Sequence, residues 1–582
     1  MIKKLMGCIR QYKKDSILTP VFVTFEVILE VVIPMLMAKL IDFGIEKSNL
    51  SYVVEMGVAL IVASLISLLF GWLAGKTAAT ASAGFARNLR KDMYYNVQKF
   101  SFSNIDRFST AGIVTRLTTD VTNVQNAYQM TIRMVFRAPL MIVFSLIMAF
   151  TINAQLSLIF VCFMPVLAVG LWLIIRYAAP MFRKVFRTYD KLNGVVQEDL
   201  RGIRVVKSFV REEKENEKFG EISKIIYNDF SKAEKLVAFN MPLMQFCMYG
   251  CTLLISWFGA KLIVASGGDA AVGLSTGQFM SLLMYVMQVL ISLMLCSMVF
   301  VMVTMAKASA ERIVEILDEK SDIVNGPSPV MNVADGAIAF HDAAFCYGGK
   351  KNCISGITVD IPSGATVGIV GGTGAGKSSL VQLIPRLYDV SCGSVEVGGK
   401  DVRDYDIETL RKSVAMVLQK NELFSGTIKD NLRWGKEDAT DEEIAEACRL
   451  AQAEGFIKDM PDGYDTYIEQ GGTNVSGGQK QRLCIARALI SKPKILILDD
   501  STSAVDTRTD ALIRAAFKAY IPDTTKLIIA QRIASVMDAD MIIVMDGGAV
   551  SACGTHDELL EKSDIYKEMY TSQTKGDDSD AA

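Results

Sequence analysis

The sequence predicts a two-part chain: an all-helical membrane domain of six spans with long cytoplasmic extensions, then a soluble α/β domain built on a phosphate-binding loop. Three observations carry this. Six apolar stretches, near residues 17–42, 53–75, 135–154, 156–176, 238–264 and 277–306, can each cross a ~30 Å hydrocarbon core with ~20 helical residues. The links between them alternate in length, and the long ones carry the cations. Finally, Gly371-Gly372-Thr373-Gly374-Ala375-Gly376-Lys377-Ser378 follows an apolar run from Val367 to Val370, placing a complete G-x-x-x-x-G-K-[ST] pattern at a strand-to-helix junction.

In chain order, residues 1–16 are basic and amphipathic. No small-residue cleavage site follows the first apolar run, so this segment reads as a helix lying on the inner leaflet and not as a secretion signal. Residues 17–320 form the membrane domain. Its long connections hold Arg87, Arg90, Lys91, Arg107, Arg116, Lys184, Arg187, Lys191 and Arg204, which places them and both termini on the cytoplasmic side of a cell membrane. Helical periodicity runs through these connections, so the spans should extend as stalks with tips near 104–112 and 207–217. Residues 321–336, with Pro327 and Pro329, read as a linker, 337–572 as the nucleotide-binding domain and the polar tail 573–582 as disordered.

The 582 residues, net charge of −2 and 51% hydrophobic content suit such a two-part chain better than one globular domain. No nucleic-acid partner is expected. The 11 cysteines form no C-x-x-C pair and no cluster with His341 or His556, so they read as free thiols without a zinc site; Cys247 and Cys251 read as packing residues.

In the phosphate loop, glycines let backbone N–H groups surround a β-phosphate, Lys377 neutralises β/γ oxygens and Ser378 offers its hydroxyl to Mg²⁺. Ile495–Leu498 reads as a buried strand that delivers Asp499 to the metal. Val475-Ser476-Gly477-Gly478-Gln479 precedes a helical run through Leu489; it is a small-residue cap and also a ready anion site.

The order of phosphate loop, Gln419, Ser476-Gly477-Gly478-Gln479, Asp499 and Ser503-Ala504-Val505-Asp506 resembles the ABC ATPase family, and six preceding spans resemble a half-transporter of the type IV exporter fold. Ile105-Asp106-Arg107-Phe108 and Gly202-Ile203-Arg204-Val205-Val206-Lys207 resemble the family's intracellular-loop patterns. The resemblance implies ATP and Mg²⁺ as ligands, Tyr347 stacked on adenine, Ser379 and Asp506 in the nucleotide set, and Ser378, Gln419 and Asp499 at the metal. It also implies paired ATPase domains, each nucleotide held between the Walker motifs of one chain and the Ser-Gly-Gly-Gln signature of the other.

The departures are informative. Competent family members carry Glu after the Walker B Asp and His in the switch loop, whereas this chain has Asp500 and Gln531. The shorter carboxylate retreats by one C–C bond, and Gln brings no positive charge to the γ-phosphate. Val475 replaces the usual Leu, and Gln470 stands where a cross-talk carboxylate is common. Degenerate catalytic positions beside an intact signature resemble the impaired subunit of heterodimeric bacterial multidrug exporters. The expected partner is a second half-transporter with Glu and His in its own site and an altered signature. A homodimer with two slow sites is the alternative.

For cargo, Glu26 and Glu30 share a face of the first span; they either attract cationic amphiphiles or bond to neighbouring spans. Met280, Met284, Met287, Met294, Met298, Met302 and Met305 form a stripe on the sixth span, either a yielding substrate wall or ordinary packing. Amphipathic drugs are the leading cargo, lipid or peptide the alternative, and a nucleotide-sensing regulatory subunit the rival from another class.

Overall fold

The computed structural model describes residues 1–266, 273–349, 353–500 and 505–577. The chain forms two compact units, Met1–Gln98 with Thr110–Glu319, and Lys99–Ser109 with Lys320–Ala582.

In the first unit the apolar stretches lie, but for a few residues at their ends, within helices Lys13–Lys39, Leu50–Val97, Val121–Ile152, Ala154–Ser208, Asn240–Ser266 and Thr276–Asp318. Among the described residues, six segments are long and apolar enough to cross a membrane. The 48 residues of Leu50–Val97 give a rod of about 72 Å, more than twice the ~30 Å hydrocarbon core. The excess is the stalk that periodicity predicted.

Buried Val23, Val27 and Val31 of the first span meet Leu282, Tyr285, Val286 and Leu290 of the sixth in one core, which also encloses Cys247 and Cys251. Polar groups fix the register: the Tyr285 hydroxyl donates to the Val31 carbonyl at 2.8 Å, and Asp42 accepts from Ser275 Oγ at 2.6 Å and Gly277 N at 2.7 Å. Gly277 is obligatory there, since a Cβ would fall 2.2 Å from the Ala38 carbonyl oxygen.

The N-terminal segment comprises a helix Ile2–Gly7 and a turn Arg10–Tyr12. It docks on the stalk of the second helix: Asn88 Nδ2 donates to the Cys8 carbonyl at 2.8 Å, and Arg10 pairs with Asp92 at 2.9 Å.

The second unit contains strands β1 (Ile338–Phe345), β2 (Ile354–Ile361), β3 (Thr366–Gly371), β4 (Cys392–Val397), β5 (Lys400–Asp401), β6 (Val414–Val417), β7 (Gly426–Thr427), β8 (Tyr467–Ile468), β9 (Ile495–Asp499), β10 (Thr525–Ile529), β11 (Met541–Asp546) and β12 (Ala549–Gly554). The principal sheet has order β12-β11-β3-β10-β9-β6, parallel except for β12, and an antiparallel sheet has order β2-β1-β4-β5. Every residue of β9 is buried, as the continuous apolar run requires of a strand covered on both faces. Because β3, β10 and β9 are adjacent and parallel, whatever follows their carboxyl ends converges on one edge.

The tip helix Phe102–Phe108 belongs to this unit, and Ser101 and Asn104 cap it reciprocally. The expected disordered tail is corrected in part. Helix Asp564–Asp577 continues through Gln573, because Tyr566 is fully buried and Met569 and Tyr570 pack on the core. Residues 578–582 lie outside the described residues.

Candidate nucleotide-binding site

Three strand ends build the site. From β3 the chain enters the loop Gly371–Gly376 and then helix Lys377–Gln382. A Cβ at Gly371 would fall 2.2 Å from the Met545 carbonyl oxygen, and Gly376, at φ 94°, would place one 2.9 Å from that of Cys353. Gly372 and Gly374 face open space, so the loop is closed behind and free in front. Ala375 N donates to the Gly372 carbonyl at 3.2 Å, which closes the turn around Thr373.

Lys377 Nζ donates to the Gly371 and Gly372 carbonyls at 2.8 and 2.9 Å. Burial lowers its pKa, with Asp499 and Asp500 opposing. Ser378 Oγ donates to Asp499 Oδ1 at 3.0 Å. Burial raises the Asp499 pKa, the Ser378 bond opposes this, and the neighbouring Asp500 charge adds to it. A glycine cradle with an adjacent hydroxyl and carboxylate fits ATP and Mg²⁺, whose hard oxygen preference matches Ser378 and Asp499.

Asp500 sits at φ 51°, a left-handed conformation that Asp tolerates better than most residues, with its N–H on the Ile529 carbonyl at 3.1 Å. Its Oδ2 accepts from Gln531 Nε2 at 2.7 Å and from Gln419 Nε2 at 3.4 Å. The two positions that depart from the family's Glu and His are thus bonded to each other, and two amides hold one of the oxygens through which Asp500 could take a proton. Gln419, expected at the metal, has its amide nitrogen on Asp500.

The Tyr347 hydroxyl lies 3.2 Å from Ser379 Oγ and donates to Gln382 Oε1 at 3.1 Å, while its ring meets Tyr388 edge-on, 5.2 Å between centroids. The signature Ser476 caps helix Gly477–Ile490, with Gln479 N on Ser476 Oγ and Ser476 N on Gln479 Oε1. Asp506 caps helix Thr507–Tyr520, accepting from Thr509 N at 2.9 Å. Ser503 and Ala504 lie outside the described residues.

Sequence reasoning missed several participants. Gln481, almost fully buried, donates to the Asp500 carbonyl at 3.4 Å and ties the signature helix to the residue that follows β9. Composition places Gln573 in the tail, yet it bonds the switch-loop backbone.

In the first unit, Arg137 of the third span pairs with Glu26 and, at 2.7 Å, with Glu30. The two carboxylates therefore bond to a neighbouring span. The signal that could have found Arg137 is a lone cation within the apolar stretch 135–154. Glu26 is 7% exposed, and its second oxygen has no partner among the described residues. Met280, Met284, Met287 and Met298 lie on the exposed face of the sixth span, opposite Leu282, Tyr285 and Val286, so they do not form this chain's core. Met294 and Met302 are half-buried, and the Met305 side chain is outside the described residues.

Residues 16–294 match the family described as ABC transporter transmembrane region, and residues 354–503 match ABC transporter. The chain is 36% identical over 573 residues to the uncharacterized ABC transporter ATP-binding protein YfiB of Bacillus subtilis (strain 168), covering 98% of each. It is 32% identical over 490 residues to the ATP-dependent lipid A-core flippase of Desulfotalea psychrophila, covering 84% of each. Its fold matches the structure of a bacterial Atm1-family ABC exporter with ATP bound, with TM-score 0.82 and 22% identity over 97% of this chain and 99% of that one.

Proposed function

This chain belongs to the ABC transporter family, with membrane region and ATPase domain in one polypeptide, and on that premise we propose that it is the ATP-holding half of a heterodimeric exporter. Its own site binds Mg-ATP and hydrolyses it slowly. Its signature, Ser476–Gln479, completes the partner's site, where most turnover occurs. The observation that carries the reading is the Gln531–Asp500 hydrogen bond of 2.7 Å. A positioned base contributes roughly 10²–10⁴ in rate; here the base is short, and its neighbour is a neutral amide in place of a cation.

Amphipathic compounds are the proposed cargo, moved outward across the cell membrane, with both termini cytoplasmic. The exposed methionines favour a surface that accepts varied shapes. A second reading, lipid as cargo, draws on the printed activity of the lipid A-core flippase relative.

The deciding experiment is steady-state ATPase of the purified chain, alone and with a complementary half-transporter, using Asp500→Ala and a partner lacking its catalytic Glu. The asymmetric pair requires that Asp500→Ala leave most activity and the partner change abolish it. Brisk hydrolysis by the chain alone that depends on Asp500 would instead establish a homodimeric pump. Stimulation by drug but not lipid, or the converse, separates the two cargoes.

A further inference from the structure

The switch loop is held from outside the nucleotide motifs. Gln573 Oε1 accepts from Ile533 N at 2.8 Å, and Gln573 Nε2 donates to the Gln531 carbonyl at 2.9 Å. One side-chain amide thus engages the backbone on both sides of Arg532, supplying one acceptor and one donor as a neighbouring strand would. Carboxylate or hydrocarbon side chains of similar length cannot make both bonds.

The helix bearing Gln573 is itself fixed. Residues 566 and 573 are seven apart and therefore share a face. Tyr566 is fully buried, its hydroxyl lies 2.7 Å from His556 Nδ1, and Tyr570 meets the His556 ring edge-on at 5.3 Å. At the other end of the contact, Ile533 is buried in the core and opens the turn Ile533–Ser535. The backbone of Gln531 is thereby pinned while its side chain reaches Asp500.

We propose that Gln573 is a positioning residue for the nucleotide switch: by fixing the loop from Gln531 to Ile533, it sets how long this site keeps its nucleotide. The C-terminal helix then acts as a clamp on the ATP site. The dwell-time form of this proposal rests on the reading of the site as one that holds ATP.

The test uses the full chain in nanodiscs loaded with a fluorescent ATP analogue and Mg²⁺, then chased with unlabelled ATP. Gln573→Ala removes two hydrogen bonds and should speed release roughly tenfold. Gln573→Glu, which sets a carboxylate against the Gln531 carbonyl, should do the same, with both variants remaining folded and their thermal midpoints at most slightly lowered. In a Gln531→Ala background the effect of Gln573→Ala should disappear, because the clamp acts through that side chain.

Unchanged release in folded Gln573 variants would overturn the proposal, as would additive effects of the two alanine changes. If the chain proves a brisk Asp500-dependent ATPase, the holding-site reading fails separately. Gln573→Ala must then lower kcat through Gln531 at constant KM; no change in kcat would overturn the clamp as well.

Discussion

The Tyr388 hydroxyl donates to the Asp106 carboxylate at 2.7 Å, joining the ring that abuts Tyr347 to the tip helix Phe102–Phe108. Phe102 lies against the same ring, 6.0 Å between centroids. A change at Tyr347 therefore has a short route to the segment that links helices Leu50–Val97 and Val121–Ile152 in sequence. Tyr388→Phe keeps the ring contacts and leaves the carboxylate without this donor. We predict near-normal ATP binding and basal hydrolysis in the paired transporter. Tip-helix docking should weaken by about 1–2 kcal/mol, roughly 5- to 30-fold, read as lost stimulation of ATPase by substrate. Burial first, and Asp106 second, push the Tyr388 pKa above its ordinary 10.0. The protonated hydroxyl is thus favoured in the fold, and its contribution is complete below that value and fades only as pH rises beyond it. The difference between the two proteins should be flat from about pH 6 to 9.

Asp499 predicts a stability change of opposite sign in the empty and loaded domain. Its pKa is raised from the ordinary 3.8, chiefly by burial. The charged form is therefore disfavoured in the empty fold, and the group favours folding most below its ordinary pKa, with that contribution lost as pH rises through the raised value. At neutral pH, Asp499→Asn should raise the thermal midpoint of the nucleotide-free protein. It should also remove the stabilisation by Mg-ATP, about 2.7 kcal/mol at a ligand concentration 100 times Kd. In the unmodified protein that ligand-induced shift should grow with pH across the same interval. Thermal unfolding with and without Mg-ATP checks all three.

What was legible in the sequence follows from how local the physics is. The glycine loop, Lys377 and Ser378 announce themselves because backbone geometry and chemistry are packed into eight consecutive residues. The six spans are equally plain, since bilayer thickness sets their length. Arg137 was missed because its partners lie 107 and 111 residues away, and only helix packing brings opposite charges at similar depth together. Gln573 was misread because composition describes the tail's solvent preference and not the anchor provided seven residues earlier by Tyr566. The Gln531–Asp500 bond combines both cases: each departure was visible, but their contact depends on the parallel order β9-β10.

Restoring both departures together should restore chemistry. Asp500→Glu extends the carboxylate by one methylene, and Gln531→His replaces the amide donor at Oδ2 with a side chain that can carry charge. Either change alone leaves a mismatched pair. The double variant, combined with a partner lacking its catalytic Glu, should hydrolyse ATP roughly 10²–10⁴ faster than the same pair without the double change. Single-turnover hydrolysis at saturating Mg-ATP measures this directly. No gain in the double variant would count against Asp500 and Gln531 as the cause of slow hydrolysis at this site.

The Arg137 pairing changes how the intramembrane carboxylates must be tested. Glu26 and Glu30 side chains are 9% and 27% exposed, and the guanidinium they share is 22% exposed, so all three are largely removed from water. Removing one member of such a group strands a charge and costs about 3–5 kcal/mol. Arg137→Met should accordingly lower detergent stability by that amount and reduce folded yield. Glu26→Gln with Glu30→Gln should also destabilise, by leaving the arginine without its anions. The triple variant, carrying all three neutral substitutions, should recover most of the loss, because replacing an entire buried ion cluster with groups of similar volume is often neutral. Thermal unfolding of the four proteins separates these outcomes. Only in the stable triple variant does drug transport then report on charge: equal loss for cationic and neutral compounds would mean that the cluster serves packing alone, whereas selective loss for cations would assign the excess carboxylate to cargo.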